Sequence, residues 1–383
     1  MESHCKDEDD MVQQRELPFD LVTQHILTRL PIKSIVRFKS VSKIWYSTLS
    51  SSRFAFDHFK FPKPSTTQSL LIRSDNKFQI MSYENAEIDL VNIEVDFDVG
   101  DENVVLVGSC NGLVCLGSTS GRMFILWNPI TREFHNYFES EISSFAIKEC
   151  MVTWGFGYVS EVDDYRIVRI YDDVFCTFRV DVYSTRFSKW RRIHDEVSHN
   201  FSDGRIDSQL RRPGVLFNET LYWAGDEKPP ILSFDLASDM LYFFPLPEYF
   251  TDDNDMEYLG ALLCVVNGYL SMYFRHFVSG EDVITIFKGR GEMEHVIISK
   301  DGIGPLYYDN LIGSPGSDKI FTQSYEFYGD APCLGVVDIT SQPSQHLKRT
   351  PLMILKRSRR SEIVSYYASL ISPNMLMSCY KDA

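Results

Sequence analysis

The sequence lacks the short motifs that most often mark a catalytic or nucleotide-binding site. G-x-S-x-G, H-E-x-x-H, the Walker loop and G-x-G-x-x-G are all absent from its 383 residues. Each of these motifs sets a nucleophile, a pair of metal ligands or a phosphate-binding backbone at a fixed spacing. The nine histidines are scattered and show no ligand spacing. We therefore expect no catalytic residues, no cofactor and no metal site.

Paired cysteines, long apolar segments and a leader-like N-terminus are missing as well. The eight cysteines form no C-x-x-C pair and lie far apart, so we expect free thiols in a reducing compartment. The first ten residues, MESHCKDEDD, are polar and acidic, unlike a signal peptide. The longest apolar run, residues 258–270, is too short to span a bilayer. These features predict a soluble protein of the cytoplasm, the nucleus or both.

Positive charge is scarce in this chain. Its 38 Lys and Arg residues stand against 53 Asp and Glu residues, which gives a formal net charge of −15. Such an acidic surface argues against nucleic acid and against anionic membranes as main partners. The one dense basic cluster, residues 356–360, is most simply a solvated loop, with a nuclear-import signal or an anion contact as the alternatives.

A helical pattern covers residues 16–60. Pro18 and Pro31 each stand where a helix can begin, because the fixed φ and missing N–H of proline cost nothing there. Apolar residues follow each proline at helical spacing, and Ser40 or Ser42 can cap a third helix. The apolar residues of the three predicted helices are Val22, Ile26, Leu27 and Leu30, then Ile32, Ile35, Val36 and Phe38, then Val41, Ile44, Trp45 and Leu49.

Three short helices have too few residues to bury a core by themselves. Their apolar residues do not fall on one stripe, so some of them should stay exposed. An exposed apolar surface of this kind usually marks a binding site. The same residues are equally compatible with a helical subdomain packed wholly against the rest of the chain.

From residue 69 onward the pattern changes to short apolar runs separated by turn residues, which predicts strands. A strand–turn–strand unit recurs about every 50 residues. Its copies are anchored on Asn128, Tyr183, Phe234, Phe287 and Val337, with a weaker first copy at residues 78–91. The fold class is therefore mainly β with a small α module, and the repeats predict a propeller of five or six blades. Residues 363–371 would return to close the ring, and a large irregular sandwich is the alternative.

Several stretches of the β region could be read as functional. The glycine-rich Trp154–Tyr158 segment is more simply a tightly packed strand than a phosphate loop. Asp163 and Asp164 could form a carboxylate pair, but adjacent positions in a turn favour a solvated hairpin tip. Three long polar loops, residues 194–212, 249–258 and 313–318, are the candidates for binding, since loops on a rigid scaffold commonly carry it.

The helical stretch resembles an F-box. The matching residues, in order, are Leu17-Pro18, Ile26-Leu27, Leu30-Pro31, Ile35, Arg37-Phe38, Val41, Lys43 and Trp45, and Ile35 stands where leucine is commoner. Arg53-Phe54 and His58 resemble the tail that follows the F-box in plant proteins. Blocks such as GSCNGLVCL, ILWNPITREF and PGVLFNETLYWAG resemble a plant F-box-associated domain related to kelch repeats. Proteins of pollen–pistil recognition share this architecture, and these residues neither select nor exclude that subgroup.

The resemblance implies a non-catalytic substrate-recognition subunit of a Skp–cullin–F-box ubiquitin ligase. Its partners would be a Skp-family adaptor, through it a cullin, and an unidentified target protein held by the β domain. The implied adaptor contacts are Leu17, Pro18, Ile26, Leu27, Leu30, Pro31, Ile35 and Val41, with Trp45 partly structural. A non-ligase interaction scaffold and a propeller-type enzyme with a helical cap remain the alternatives.

The predicted domain boundaries follow from these patterns. Residues 1–15 form a disordered acidic N-terminus, 16–60 the F-box and 61–68 a proline-bearing linker. Residues 69–375 form the F-box-associated, propeller-like domain, and 376–383 a C-terminal tail.

Overall fold

A computed structural model describes most of the chain. The described residues are 17–61, 69–84, 87–98, 103–138, 152–172, 178–193, 212–225, 231–244, 258–276, 282–289, 292–299, 307–313, 319–325, 333–338, 349–354, 361–374 and 376. Two compact units divide it, Met1–Pro64 and Ser65–Ala383, and the division falls within the predicted linker. The predicted N-terminus 1–15, most of the linker and of the C-terminal tail, and the basic cluster 356–360 lie outside the described residues.

The first unit is helical. Its elements are α1 (Phe19–Leu21), which continues into a π-helical turn (Val22–Ile26) and a 3₁₀ turn (Leu27–Arg29), then α2 (Ile32–Phe38), α3 (Lys43–Leu49) and α4 (Ser52–Lys60). Pro18 and Pro31 precede α1 and α2 as N-cap residues, which confirms the predicted helix starts. Ser42 caps α3, since its hydroxyl accepts a hydrogen bond from the Trp45 backbone N–H at 3.2 Å.

Helix α4 lies beyond the three helices that the sequence predicts. Ser51 caps it by accepting a hydrogen bond from the Phe54 N–H at 3.3 Å. Only Phe54, Ala55 and His58 of α4 are buried, so its apolar stripe is short and includes a histidine. That composition explains why the hydrophobic period alone does not reveal this helix.

The second unit consists, within the described residues, of six antiparallel four-stranded sheets. The strands are β1 (Ser69–Ser74), β2 (Lys77–Glu84), β3 (Glu87–Ile93), β4 (Val104–Cys110), β5 (Leu113–Ser118), β6 (Met123–Trp127), β7 (Phe134–Phe138), β8 (Thr153–Val159), β9 (Asp164–Asp172), β10 (Phe178–Ser184), β11 (Lys189–Ile193), β12 (Val215–Phe217), β13 (Thr220–Ala224), β14 (Ile231–Asp235), β15 (Met240–Phe244), β16 (Tyr258–Val266), β17 (Tyr269–His276), β18 (Asp282–Gly289), β19 (Glu292–Ser299), β20 (Tyr307–Gly313), β21 (Lys319–Tyr325), β22 (Cys333–Asp338), β23 (Arg349–Ile354) and β24 (Ser361–Tyr366). Sheets 2 to 6 each take four consecutive strands, from β4 to β23. Sheet 1 has the order β24-β1-β2-β3.

The six sheets form a closed ring. The first strands of neighbouring sheets contact one another in the circular order β24, β4, β8, β12, β16, β20 and back to β24. A circle of innermost strands with one sheet behind each strand defines a six-bladed propeller, which confirms the predicted architecture and excludes the sandwich. Strand β24 pairs with β1 from Ser361↔Ser74 to Tyr366↔Ser69, so the predicted return near residue 363 is also confirmed.

The sequence repeat corresponds to the third and fourth strands of each sheet. Tyr183, Phe234, Phe287 and Val337 lie in the third strands β10, β14, β18 and β22, and Asn128 directly follows β6. The weak copy at residues 78–91 falls in β2 and β3 of sheet 1. These two strands give the clearest signal because a polar turn joins two apolar segments within one short window.

Tightly packed side chains join neighbouring sheets. Trp127, Trp154 and Trp223 are fully buried, and Trp190 is half-buried. Gly155 lies in β8, and a Cβ at this position would stand 2.6 Å from Leu221 Cδ1. The glycine-rich strand therefore serves close packing, which confirms the simpler interpretation of its sequence.

The connections between strands lie on two opposite faces of the propeller, because consecutive strands run in opposite directions. On the short-turn face, the first strand passes to the second and the third to the fourth. Asn111 and Gly112 form one such turn, and Asn267 and Gly268 another, all with positive φ. On the long-connection face, the second strand passes to the third and the fourth to the next sheet. Residues 139–152, 194–214 and 245–257 join strands that end on the long-connection face.

The chain after β24 is fixed to sheet 2. The Asn128 side chain is fully buried, and its Nδ2 donates hydrogen bonds to the carbonyls of Ser369 at 3.1 Å and Ile371 at 2.7 Å. Its Oδ1 accepts from the N–H groups of Ile130 at 2.8 Å and Thr131 at 3.2 Å. One amide thus connects the turn after β6 to the segment that follows the closing strand.

Candidate functional site

The helical unit keeps many apolar side chains in contact with solvent. Its small core takes residues from the 3₁₀ turn and from helices α2, α3 and α4, namely Leu27, Ile35, Leu49, Phe54 and Ala55. The exposed large apolar residues are Leu17 (65 %), Leu21 (47 %), Ile26 (45 %), Val36 (42 %), Val41 (60 %), Ile44 (66 %) and Tyr46 (60 %). We call these seven residues the apolar surface. Exposure of so many large apolar groups on so small a unit indicates a binding site.

The nine residues predicted to contact an adaptor divide into three groups. Leu17, Pro18, Ile26, Pro31 and Val41 are exposed, Leu30 and Trp45 are half-buried, and Leu27 and Ile35 are buried. The exposed residues can therefore contact an adaptor directly. Leu27 is 2 % exposed and Ile35 is 0 % exposed, so in this conformation neither side chain can contact a partner directly. In the structure they form the core on which the exposed residues rest, and their role as adaptor contacts stays a prediction.

Four members of the apolar surface are absent from the predicted set: Leu21, Val36, Ile44 and Tyr46. A signal for one of them is present in the sequence. Ile35 and Val36 are adjacent, and adjacent helical residues point about 100° apart, so a narrow core cannot take both. Which of the two faces the core depends on the packing of the other helices, which the sequence pattern does not give.

Trp45 packs within the helical unit, and its contact with an adaptor stays a prediction. Its ring meets the rings of Phe19 and Phe38 edge-on, at centroid distances of 5.8 Å and 5.6 Å. These contacts connect α3 to both α1 and α2. The half-buried indole thus fixes the helices while part of it still meets solvent.

The acidic pair in the β domain differs from its prediction. Asp163 is exposed and lies in the turn before β9, where it accepts a hydrogen bond from the Tyr158 hydroxyl. Asp164 is instead fully buried. Its carboxylate accepts hydrogen bonds from Arg166 Nε at 3.2 Å, Ser184 Oγ at 2.8 Å and the Arg186 N–H at 2.9 Å. The pair is therefore not a solvated tip, because one carboxylate organises the neighbouring β10–β11 turn.

A second buried carboxylate, that of Asp181, lies in sheet 3. Asp181 accepts from Arg169 Nη2 at 2.9 Å, Arg192 Nε at 3.0 Å and the Tyr171 hydroxyl at 2.8 Å. Burial alone would raise the pKa of Asp181, but the hydrogen bond from Arg192 and the charge of Arg169 hold this pKa below its ordinary value. The Arg169 guanidinium also lies 4.1 Å from the Trp190 ring centroid. The carboxylate is buried and bonded to side chains of its own sheet, so we interpret the network as structural.

Neither a metal cluster nor a membrane-spanning helix is found in the described part of the chain. Its histidine, cysteine and acidic side chains form no group of three or more that could hold a metal ion. None of its helices combines the length and apolar character needed to cross a membrane.

Comparison with known proteins agrees with both units. The family model of the F-box domain matches residues 16–57, and that of the F-box associated beta propeller domain matches residues 45–297. An F-box/kelch-repeat protein of Arabidopsis thaliana is 29% identical over 252 residues, which are 62% of this chain and 67% of the relative. F-box protein CPR1 of the same plant is 28% identical over 283 residues, which are 67% of this chain and 68% of the relative.

A chain of the solved nidogen/laminin complex aligns with a TM-score of 0.48 at 10% identity, over 79% of this chain and 99% of that chain. The propeller assignment rests on the sheets of this chain. Fold and site define a helical module with an apolar surface, joined to a six-bladed propeller. The chain belongs to the plant F-box proteins with an F-box-associated β-propeller.

Proposed function

We propose that this protein is the substrate-recognition subunit of a Skp–cullin–F-box ubiquitin ligase. The helical module would bind a Skp-family adaptor and, through it, a cullin, while the propeller holds a target protein. The observation that carries the proposal is the apolar surface, which is too large for an isolated helical unit to leave without a partner. The family match and the F-box relatives support the same role.

The adaptor would contact the exposed residues directly. Leu17, Pro18, Ile26, Pro31 and Val41 come from the predicted set, and the other exposed members of the apolar surface extend it. Leu30 and Trp45 would contribute their exposed parts, and the buried Leu27 and Ile35 would support them from below. Burial of each large apolar side chain contributes roughly 1.5–3 kcal/mol before entropic costs, so a few of them suffice for a stable complex.

The protein would act through proximity and form no bond itself. A bound target is held near a separate conjugating enzyme, which raises the effective concentration of a target lysine around the activated ubiquitin. No residue of this chain is assigned to that chemistry, in keeping with the non-catalytic role of F-box proteins.

Adaptor binding is tested by co-purification of the full chain with a purified Skp-family adaptor. The variant Leu17→Ala/Pro18→Ala should lose most of the binding. A matched control is Ile88→Ala/Leu90→Ala, which removes two exposed apolar side chains from β3 of the propeller and should bind like wild type. Failure of the wild type to bind the adaptor would refute the proposal.

The same preparation separates the alternatives. A ligase subunit must also recruit a cullin and support ubiquitin transfer to a captured target. Adaptor binding without either of these results would favour the non-ligase scaffold. Turnover of a small substrate by the propeller alone would favour the enzyme.

Target binding is proposed for the long-connection face. Residues 194–212 and 249–258 belong to connections that join strands on this face, although 194–211 and 249–257 lie outside the described residues. Gly313 and Lys319, which flank 314–318, end strands on the opposite, short-turn face. The three candidate loops therefore cannot form one site. Exchanging 194–211 and 245–257 for the loops of a relative should change the captured targets and leave adaptor binding intact.

The exchange of residues 314–318 is the matched comparison. It alters a loop of the same propeller on the other face, so the set of captured targets should stay the same. An unchanged set after the first exchange, or a changed set after the second, would place target recognition elsewhere.

A further inference from the structure

The turn between the 3₁₀ segment and α2 has a carbonyl that neither element can satisfy. Leu30 is extended, with φ −79° and ψ 152°, and the next residue is Pro31. The hydrogen bonds of α2 begin at the Pro31 carbonyl, which accepts from the Ser34 N–H at 2.9 Å. The Leu30 carbonyl precedes this ladder, so neither element supplies its partner.

That partner is supplied by α4. His58 Nε2 lies 2.9 Å from the Leu30 oxygen, across 28 residues of sequence. A carbonyl oxygen only accepts, so Nε2 carries the proton of this hydrogen bond. The His58 side chain is 0 % exposed and its ring lies 5.9 Å from that of Phe54. A buried imidazole needs such partners, because an unmade hydrogen bond would leave both groups desolvated.

A second contact reaches the same turn from beyond the end of α4. The Arg29 guanidinium lies over the Phe61 ring, 4.8 Å from its centroid. Arg29 directly precedes Leu30, and Phe61 directly follows α4. The chain at the end of α4 thus contacts two successive residues, Arg29 and Leu30, one through Phe61 and the other through His58.

We propose that His58 is a positioning residue for the adaptor-binding surface. It fixes the backbone of the turn that presents Leu30 and Pro31, and with it the spacing between Ile26 and α2. This inference rests on the proposed function, and it extends the site past residue 57, where the match to the F-box model ends. His58 itself is fully buried, so it would act without touching the adaptor.

Three variants of the full chain test this role by titration with the purified adaptor. His58→Phe keeps a ring beside Phe54 but removes the donor. It should weaken binding by up to about tenfold, because re-ordering a loosened turn on the adaptor would cost at most about the free energy of the lost bond. His58→Gln retains an N–H donor and should stay within about threefold of wild type. Ser51→Ala removes the cap of α4 without touching the turn and is the matched control, also expected within about threefold.

Hydrogen exchange on the same samples distinguishes positioning from general destabilisation. In His58→Phe, exchange should accelerate at the amides of Leu30 and Ser34, which bond within and just after the turn. In Ser51→Ala, it should accelerate at the start of α4 alone. Equal affinity losses in His58→Phe and Ser51→Ala would overturn the proposal, and so would equal losses in His58→Phe and His58→Gln. Failure of the wild type to bind would refute the proposed function instead, while exchange would still report whether His58 holds the turn.

Discussion

Replacing Asn128 with aspartate tests how the segment after β24 is held to the propeller. The substitution keeps the size of the side chain and one acceptor oxygen, so the hydrogen bonds from the Ile130 and Thr131 N–H groups can remain. It removes the two N–H donors that bond the carbonyls of Ser369 and Ile371. A carboxylate oxygen would then face those carbonyls in a fully buried site.

The expected cost follows from these contacts. Loss of the two hydrogen bonds should lower the free energy of unfolding by about 2 kcal/mol. The buried carbonyls left without a donor should lower it further, by about 1–3 kcal/mol. We therefore expect the free energy of unfolding of the propeller to fall by about 3–5 kcal/mol. Low pH should restore part of it, because burial favours the neutral carboxyl, which can donate one hydrogen bond.

The assay is urea unfolding of the full chain, followed by tryptophan fluorescence, with hydrogen exchange to locate the loss. Exchange should accelerate first in residues 367–374. Asn136→Asp is the matched control, since Asn136 is exposed on the neighbouring strand β7 and should change stability by less than about 0.5 kcal/mol. Equal stabilities of the two variants would refute the idea that Asn128 fixes this segment.

Three further predictions concern the propeller. Asp181→Asn should lower the free energy of unfolding by about 3–5 kcal/mol, because it leaves the buried Arg169 guanidinium without its carboxylate partner. Since the folded pKa of Asp181 lies below its ordinary value, the wild type should lose this contribution as pH falls below about 4, and the urea midpoint of the variant should depend less on acid. Gly112→Ala should lower the free energy of unfolding by at least about 1 kcal/mol more than Gly268→Ala in the same urea assay. Both positions have positive φ, but only at Gly112 would the new Cβ clash with the Ser369 side chain. Equal losses in the two variants would contradict this packing. Burial raises the pKa of the Cys264 thiol to about 12, so maleimide should label Cys264 at neutral pH only after unfolding. Peptide mapping distinguishes this thiol from the other cysteines, and rapid labelling of Cys264 itself in the native chain would disagree with the structure.

Local patterns in the sequence predict much of the fold. Pro18 and Pro31 mark helix starts through the fixed φ of proline, and Ser42 does so through its capping hydrogen bond; both effects depend on neighbouring residues alone. The repeat anchors fall at third strands because each strand–turn–strand unit lies within one short window. The sequence also shows an apolar run after the last repeat, and in the structure residues 361–366, which include the start of this run, pair with the first sheet.

What the sequence leaves open depends on contacts between distant residues. The burial of Ile35 beside an exposed Val36 is decided by the packing of the helices around α2. The burial of Asp164 depends on donors contributed by residues 184–186, which no local pattern reveals. Helix α4 escapes prediction for a similar reason, since His58 counts as polar until its bond to Leu30 is known.

The order of strands in sheet 1 has a consequence for synthesis. Translation delivers β1, β2 and β3 early, but β24, the fourth strand of their sheet, begins at Ser361, which is 268 residues after Ile93 at the end of β3. Sheets 2 to 6 can form during synthesis, whereas β1 of sheet 1 stays an unpaired edge strand until β24 has been made. A translation product that stops before residue 361 would still carry the helical module and its apolar surface. If the proposed function holds, such a fragment would bind the adaptor without a complete propeller to hold a target, and so would compete with the full chain.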